Sequence, residues 1–219
     1  MTQHKWSWVI AALTIAASLA SLLYIDSNAD IPIHWNIAGE VDGTAKPLIG
    51  ILTIPGVQIT IIVIFSALKI LEPRQKNLAS SAKALTAVVL AFTGFLMLVQ
   101  AQIIDEALQT GFLGLNIIFI GVGLLLVVMG NYFSKLRSSF FIGIRTPWTL
   151  SSETVWQKTH RLGGKLFILA GLFLIGGSWI MESDQISTLL LVTILPASLI
   201  PVAYSWYLWQ QEKKDIKEH

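Results

Sequence analysis

The chain is expected to be all-α, a polytopic helical membrane protein with six transmembrane helices and both termini in the cytoplasm. Three observations lead there. First, only 13% of its 219 residues are charged while 54% are hydrophobic, with a mean hydropathy of +0.67; a soluble domain carries about 25% charged residues. Second, six stretches contain no Asp, Glu, Lys or Arg: 6–25, 47–68, 84–104, 107–134, 166–181 and 185–211. All but 166–181 reach about 20 residues, enough for roughly 30 Å of hydrocarbon at about 1.5 Å per residue. That stretch gets there by running back through 162–165, with the Lys165 ammonium snorkelling to the interface. Third, the cations alternate. Lys5, then Lys69, Arg74, Lys76 and Lys83, then Lys135, Arg137, Arg145, Lys158, Arg161 and Lys165, then Lys213, Lys214 and Lys217 fall in alternate connections, fourteen of the fifteen; Lys46 is the exception. Basic residues collect on the cytoplasmic side, and this split orients the chain.

The first span follows Lys5, and Ser27-Asn28-Ala29 offers a small-residue cleavage site. Its apolar run exceeds the about 7 to 15 residues of a signal peptide, so it reads as an uncleaved anchor. The external loop after it carries Asp26, Asp30, Glu40 and Asp42, with Pro32 and Pro47 holding their predecessors extended and Gly39 and Asp42-Gly43 signalling turns. A compact non-helical loop is expected. Its acids and His34 match no metal-ligand spacing and read as solvated charge, with Trp35 as an interfacial anchor.

The second span contains Pro55 and the sixth Pro196 and Pro201, each removing helical hydrogen bonds. Polar residues within the spans are neutral: Gln58 and Thr60, then Thr93, Gln100 and Gln102, then Asn116 and Asn131. A pump normally keeps ionisable groups at membrane depth. These amides are first read as interhelical hydrogen-bonding groups, and second as a neutral polar solute path. With zero cysteines, disulfides, thiolate metal ligands and a cysteine nucleophile are excluded together.

The longest internal connection runs from Gly130 to Phe167. Pro147 biases Thr146 away from the helical basin, so Gly143 to Trp148 should form an extended turn. Ser151 or Thr149 should then cap a helix bearing Glu153 in its first turn. At 100° per residue Ser152, Val155, Trp156, Thr159 and Leu162 share one side while Lys158, Arg161 and Lys165 form a cationic edge. An amphipathic interfacial helix between spans four and five is expected, with Gly163 and Gly164 as a hinge into the fifth. Glu153 and His160 lie about 10 Å apart along such a helix, too far for an acid/base pair. Gly163-Gly164 lacks a phosphate-loop spacing, and no enzyme is expected.

The run Gly130-Asn131-Tyr132, then Ile142-Gly143-Ile144-Arg145-Thr146-Pro147-Trp148-Thr149-Leu150, then Val155-Trp156-Gln157-Lys158-Thr159-His160-Arg161 resembles the signature of the bacterial SdpI family of integral membrane proteins. The first loop, Ile31-Pro32-Ile33-His34-Trp35-Asn36 with Gly39 and Asp42-Gly43, resembles the N-terminal module often fused to that family. Family members often have Asn where this chain has Ser139.

The resemblance implies a multi-pass protein of the bacterial cell membrane with an N-terminal module over 1–83 and an SdpI-like module over 84–219. It implies immunity to a secreted SdpC-like toxin and capture of a helix-turn-helix repressor at the membrane, without cofactors, metal or direct nucleic-acid binding. The external surface would use Asp30, Pro32, His34, Trp35, Asn36, Gly39 and Asp42. The cytoplasmic surface would use Asn131, Gly143, Arg145, Thr146, Pro147, Trp148, Thr149, Trp156, Lys158, Thr159, His160 and Arg161. The alternative is a transporter or channel for a small solute or lipid, lined by Gln58, Gln100, Asn116 and Asn131.

Overall fold

The computed structural model describes residues 4–36, 40–114 and 116–218; Gly39 lies outside them. Long apolar segments without charge become helices because a buried backbone must satisfy its own hydrogen bonds. The helices are α1 (Lys5–Ser21), α2 (Pro47–Leu71), α3 (Gln75–Ser80), α4 (Ala82–Ala107), α5 (Asn116–Phe133), α6 (Pro147–Ser151), α7 (Glu153–Gly177) and α8 (Ser183–Glu218). Five of them, α2, α4, α5, α7 and α8, contain segments long and apolar enough to cross a membrane; α1 is apolar but has 17 residues. Proline at the first helical position starts α2, where its missing N–H has no intrahelical partner to lose. Helix α2 continues through Pro55, and α8 through Pro196 and Pro201.

The all-α expectation missed a hairpin between α1 and α2, formed by β1 (Ile31–Trp35) and antiparallel β2 (Val41–Ala45). Asp42-Gly43 lies inside β2 rather than at the turn. Gly43 stands opposite His34 at a register shift, where an added Cβ would come 3.0 Å from the His34 Cβ. Short strands survive here because Ile31 is buried beside Ile25, Ile51 and Ile103, with Trp35 packed against the same cluster. Trp35 is therefore partly a core residue. The hairpin is seated on α2 and α4.

The fourth span starts later than its charge-free run suggested. Residues before α5 form a turn with positive φ at Gln109 and Gly111. The Asp105 carboxylate organises that turn, accepting from the Thr110 hydroxyl and, at 3.1 Å each, from the N–H groups of Phe112 and Leu113.

Helices α1, α2 and α4 pack together, as do α5, α7 and α8, and α4 also contacts α5. Gln58 ties the first group, donating to Thr14 Oγ1 at 3.2 Å and to the Thr93 carbonyl at 2.9 Å. In the second group α5 and α7 meet along paired glycines. A Cβ on Gly164 would lie 2.5 Å from the Gly130 carbonyl oxygen, and one on Gly123 2.7 Å from that of Gly171. Backbones approach this closely only where side chains are absent.

This packing corrects one expectation. The interfacial helix is not a separate element, because α7 runs unbroken from Glu153 to Gly177. Gly163 and Gly164 lie buried inside it. The pair, expected as a hinge, packs against Gly130, Phe133, Ile144 and Pro201.

Candidate functional site

At the end of the bundle opposite the hairpin, residues 134–152 connect α5 to α7 and wrap around Trp156 and His160. Both side chains are fully buried and stack with ring centroids 4.0 Å apart. The indole N–H of Trp156 donates to the Leu136 carbonyl at 2.8 Å. The backbone N–H of Ile144 donates to His160 Nε2 at 2.9 Å. That nitrogen is therefore the acceptor, so Nδ1 carries the proton and donates to the Trp156 carbonyl at 2.8 Å. His160 is a neutral structural post, and it fixes the loop by a backbone bond. Gly143 turns the chain over it with φ of 104. A Cβ there would lie 2.5 Å from His160 Nε2 and 2.9 Å from the Trp156 ring, so both conformation and space demand glycine.

The next residues form a reciprocal cap. Thr146 is extended, as its position before proline requires, and its Oγ1 accepts from Thr149 N–H at 3.1 Å while Thr149 Oγ1 accepts from Thr146 N–H at 2.9 Å. Pro147 opens α6. The Thr149 hydroxyl also donates to the Ile144 carbonyl at 2.8 Å. Ser152, rather than Ser151 or Thr149, caps α7, because α6 intervenes; it accepts from Val155 N–H at 3.3 Å. Two contacts tie this corner to α8: Thr146 Oγ1 to Ser205 Oγ at 3.1 Å, and Ser152 Oγ donating to Glu212 at 2.9 Å.

A second set of groups was not anticipated from sequence. Glu72, at the end of α2, is 1% exposed, and its carboxylate accepts from Ser139 Oγ at 2.5 Å and from the N–H groups of Phe140 and Arg74 at 3.0 Å. Burial by itself raises its pKa, but the bonds from Ser139 and from the backbone of Arg74, Phe140 and Phe141 outweigh that and hold it below the usual carboxylate value. Arg74 donates to Ser138 Oγ and, at 3.3 Å, to the Leu150 carbonyl, with its guanidinium 4.5 Å from the Phe140 ring centre. Asn77 donates to the Ser138 carbonyl at 2.7 Å. Residues 72–77 thus staple the end of α2 to the α5–α7 connection. The available signal was Glu72 itself, an acid alone among Lys69, Arg74, Lys76 and Lys83.

The expected cytoplasmic residues divide into two kinds. Gly143, Thr146, Thr149, Trp156, Thr159 and His160 build the loop from inside. Thr146, Thr149, Trp156, Thr159 and His160 are buried. Asn131, Arg145, Pro147, Lys158 and Arg161 are exposed, with Trp148 half-buried, and they form the outward face. Arg145 donates to the Phe140 carbonyl at 2.7 Å. Glu153 is exposed, 3.8 Å from Arg137, and Gln157 donates to it at 3.4 Å; it does not meet His160.

At the other end, His34 Nδ1 lies 2.5 Å from Asp42 across the hairpin, Lys46 pairs with Asp30 at 2.8 Å, and Asn36 donates to Glu40 at 3.0 Å. The structure brings Asp30, His34, Asn36 and Asp42 onto one small element. Among the described residues, no group of three His, Asp or Glu gathers as a metal site. Of the four amides of the alternative polar path, Gln58 and Gln100 are buried on α2 and α4, and Asn116 and Asn131 belong to α5. Asn116 donates to the Ser178 carbonyl at 3.1 Å near one end of α5, and Asn131 is exposed near the other.

A model of the SdpI/YfhL protein family matches residues 135–205, and one of a domain of unknown function, DUF1648, matches residues 9–59. Immunity protein SdpI of Bacillus subtilis (strain 168) is 30% identical over 214 residues, covering 96% of this chain and 98% of that protein. No solved structure matches. With its apolar helices and a likeness running nearly end to end, the chain is a multi-pass protein of the bacterial cell membrane and belongs to the SdpI family.

Proposed function

We propose that the chain is a membrane immunity and signalling protein that protects its cell from a secreted SdpC-like toxin and captures a helix-turn-helix repressor on its inner face. The likeness to an immunity protein over nearly the whole chain supports the first half. The single observation that supports coupling is the Glu72 staple. Helix α2 carries the hairpin at its start and the buried Glu72 at its end, so displacement of the hairpin is transmitted to residues 138–140 through one rigid element. On this reading 1–83 is a sensing module, with Asp30, Pro32, His34, Trp35, Asn36 and Asp42 outside. The module over 84–219 presents Arg145, Trp148, Lys158 and Arg161 inside. No catalysis is required, because ligand binding that favours one packing of the bundle suffices.

The test is survival of a toxin-sensitive bacterium expressing the chain, with repressor capture read by membrane fractionation. Wild type should protect and recruit. Glu72→Ala, at equal expression, should retain toxin binding and lose recruitment; failure of wild type to protect sinks the reading. The transporter alternative retains one supporting observation: Gln100 is 1% exposed and both its amide atoms lack partners among the described residues. Solute flux in proteoliposomes that vanishes in Gln100→Leu would favour it.

A further inference from the structure

Two cavities lie side by side at the basic end of the bundle. The first, about 370 Å³, is lined by His4, Lys69 and Gln75 together with apolar side chains from α3 and α4. His4 is 5% exposed and its Nδ1 has no hydrogen-bond partner among the described residues. Burial, then the Lys69 charge, disfavour its protonated form. Among the described residues no acidic side chain lines this cavity, and Glu72 nearby is committed to Ser139 and Phe140. A cation and a buried imidazole thus face a space without a counter-charge, and an anion would satisfy both.

The second cavity, about 470 Å³, is walled by Phe65, Phe92, Met129, Phe133, Phe167 and Val202, with Arg145 among its bordering residues. Phe65 and Leu85 border both cavities, so the basic space opens beside an apolar one. Each volume falls in the range of about 300 to 1,000 Å³ typical of ligand pockets. Phe65 lies six residues before the end of α2, about 9 Å along the axis. A free anion would leave the apolar chamber unfilled, and a neutral chain would leave His4 and Lys69 unanswered.

We propose that the chain binds one anionic phospholipid, its phosphate between His4 and Lys69 and an acyl chain past Phe65 among Phe92, Phe133 and Phe167. The site is independent of toxin recognition, and its ligand is a constituent of the membrane.

The test is native mass spectrometry of the full chain released from nanodiscs containing equal phosphatidylglycerol and phosphatidylcholine of one chain length. Wild type should retain a single phosphatidylglycerol with a preference of about fivefold, the scale of one basic contact near a membrane surface. The doubly substituted His4→Gln, Lys69→Gln protein should lose the preference while melting at an unchanged temperature. Equal retention of both lipids by wild type overturns the proposal, as does an undiminished preference in the double variant. Displacement of the lipid by millimolar inorganic phosphate would identify a free-anion site instead and also overturns it. If the double variant does not fold, Phe65→Trp, which crowds the shared wall, must lower retention of phosphatidylglycerol; unchanged retention refutes the model.

Discussion

At the residue scale the decisive group is a carboxylate 67 positions away from the hydroxyl it binds. Ser139 and Glu72 share no local pattern, so nothing in the sequence pairs them. By contrast the Thr146–Thr149 cap and the extended Thr146 follow from a proline one residue away, and that part of the site was readable. His160 fell between these cases. Periodicity placed Trp156 and Thr159 inward, but only the turn at Gly143 reveals that an imidazole supports it. Glu72 also makes a pH prediction. Its folded pKa is lowered from 4.5, so the stability it contributes is present above about pH 4.5 and is lost as pH falls through the folded value. Hydrogen bonds to a charged group are worth about 1.5 to 3 kcal/mol. Thermal melts should therefore show wild type losing more stability than Glu72→Gln between about pH 5 and pH 3. Parallel acid profiles would show that the carboxylate charge does not support the staple.

At the scale of elements the sequence was misleading where charge interrupts a helix that nevertheless continues. Lys158, Arg161 and Lys165 broke the apolar window and made the first half of α7 look like a surface helix. Yet Val155, Trp156, Thr159 and His160 form a buried stripe that leads directly into the span. The hairpin was missed because two five-residue strands leave a weak signal among turn-forming residues, and what stabilises them is Ile31 in a distant cluster. The glycines of α7 can be tested by substitution. Alanine at 164 gains about 1 kcal/mol of helix propensity, but overpacking against a rigid backbone costs about 1 to 3 kcal/mol. With the Gly130 carbonyl oxygen 2.5 Å from the added carbon, the second effect wins. Gly164→Ala should lower the melting temperature of the purified protein. Gly94→Ala in α4, where nothing lies within 4 Å, should hold or raise it. A stabilised Gly164→Ala would mean that the α5–α7 seam has slack.

At the scale of the whole molecule, the question is whether α1 reaches across. Its 17 residues span about 26 Å at 1.5 Å each, a few ångströms less than the hydrocarbon core. Its neighbours favour a crossing. His4 borders a cavity with Lys69 and Leu78, beyond the middle of α2, whereas Ile25 packs with Ile31 and Ile51 at the start of α2. Helix α1 therefore runs alongside its partner, and we expect it to cross with α2 as a sixth span. Residues 72–81 and 134–152 share the basic end, and the hairpin shares the other with the turn around Asp105. From the cation split we expect that axis to place the hairpin outside. The native chain has no cysteine, so single introduced thiols report without background. In intact cells an impermeant maleimide should label Asp42→Cys, while Arg145→Cys should react only after the membrane is opened. Labelling of position 145 from outside would reverse the orientation. It would also place the Glu72 staple on the toxin-facing surface, where a captured cytoplasmic repressor could not touch it.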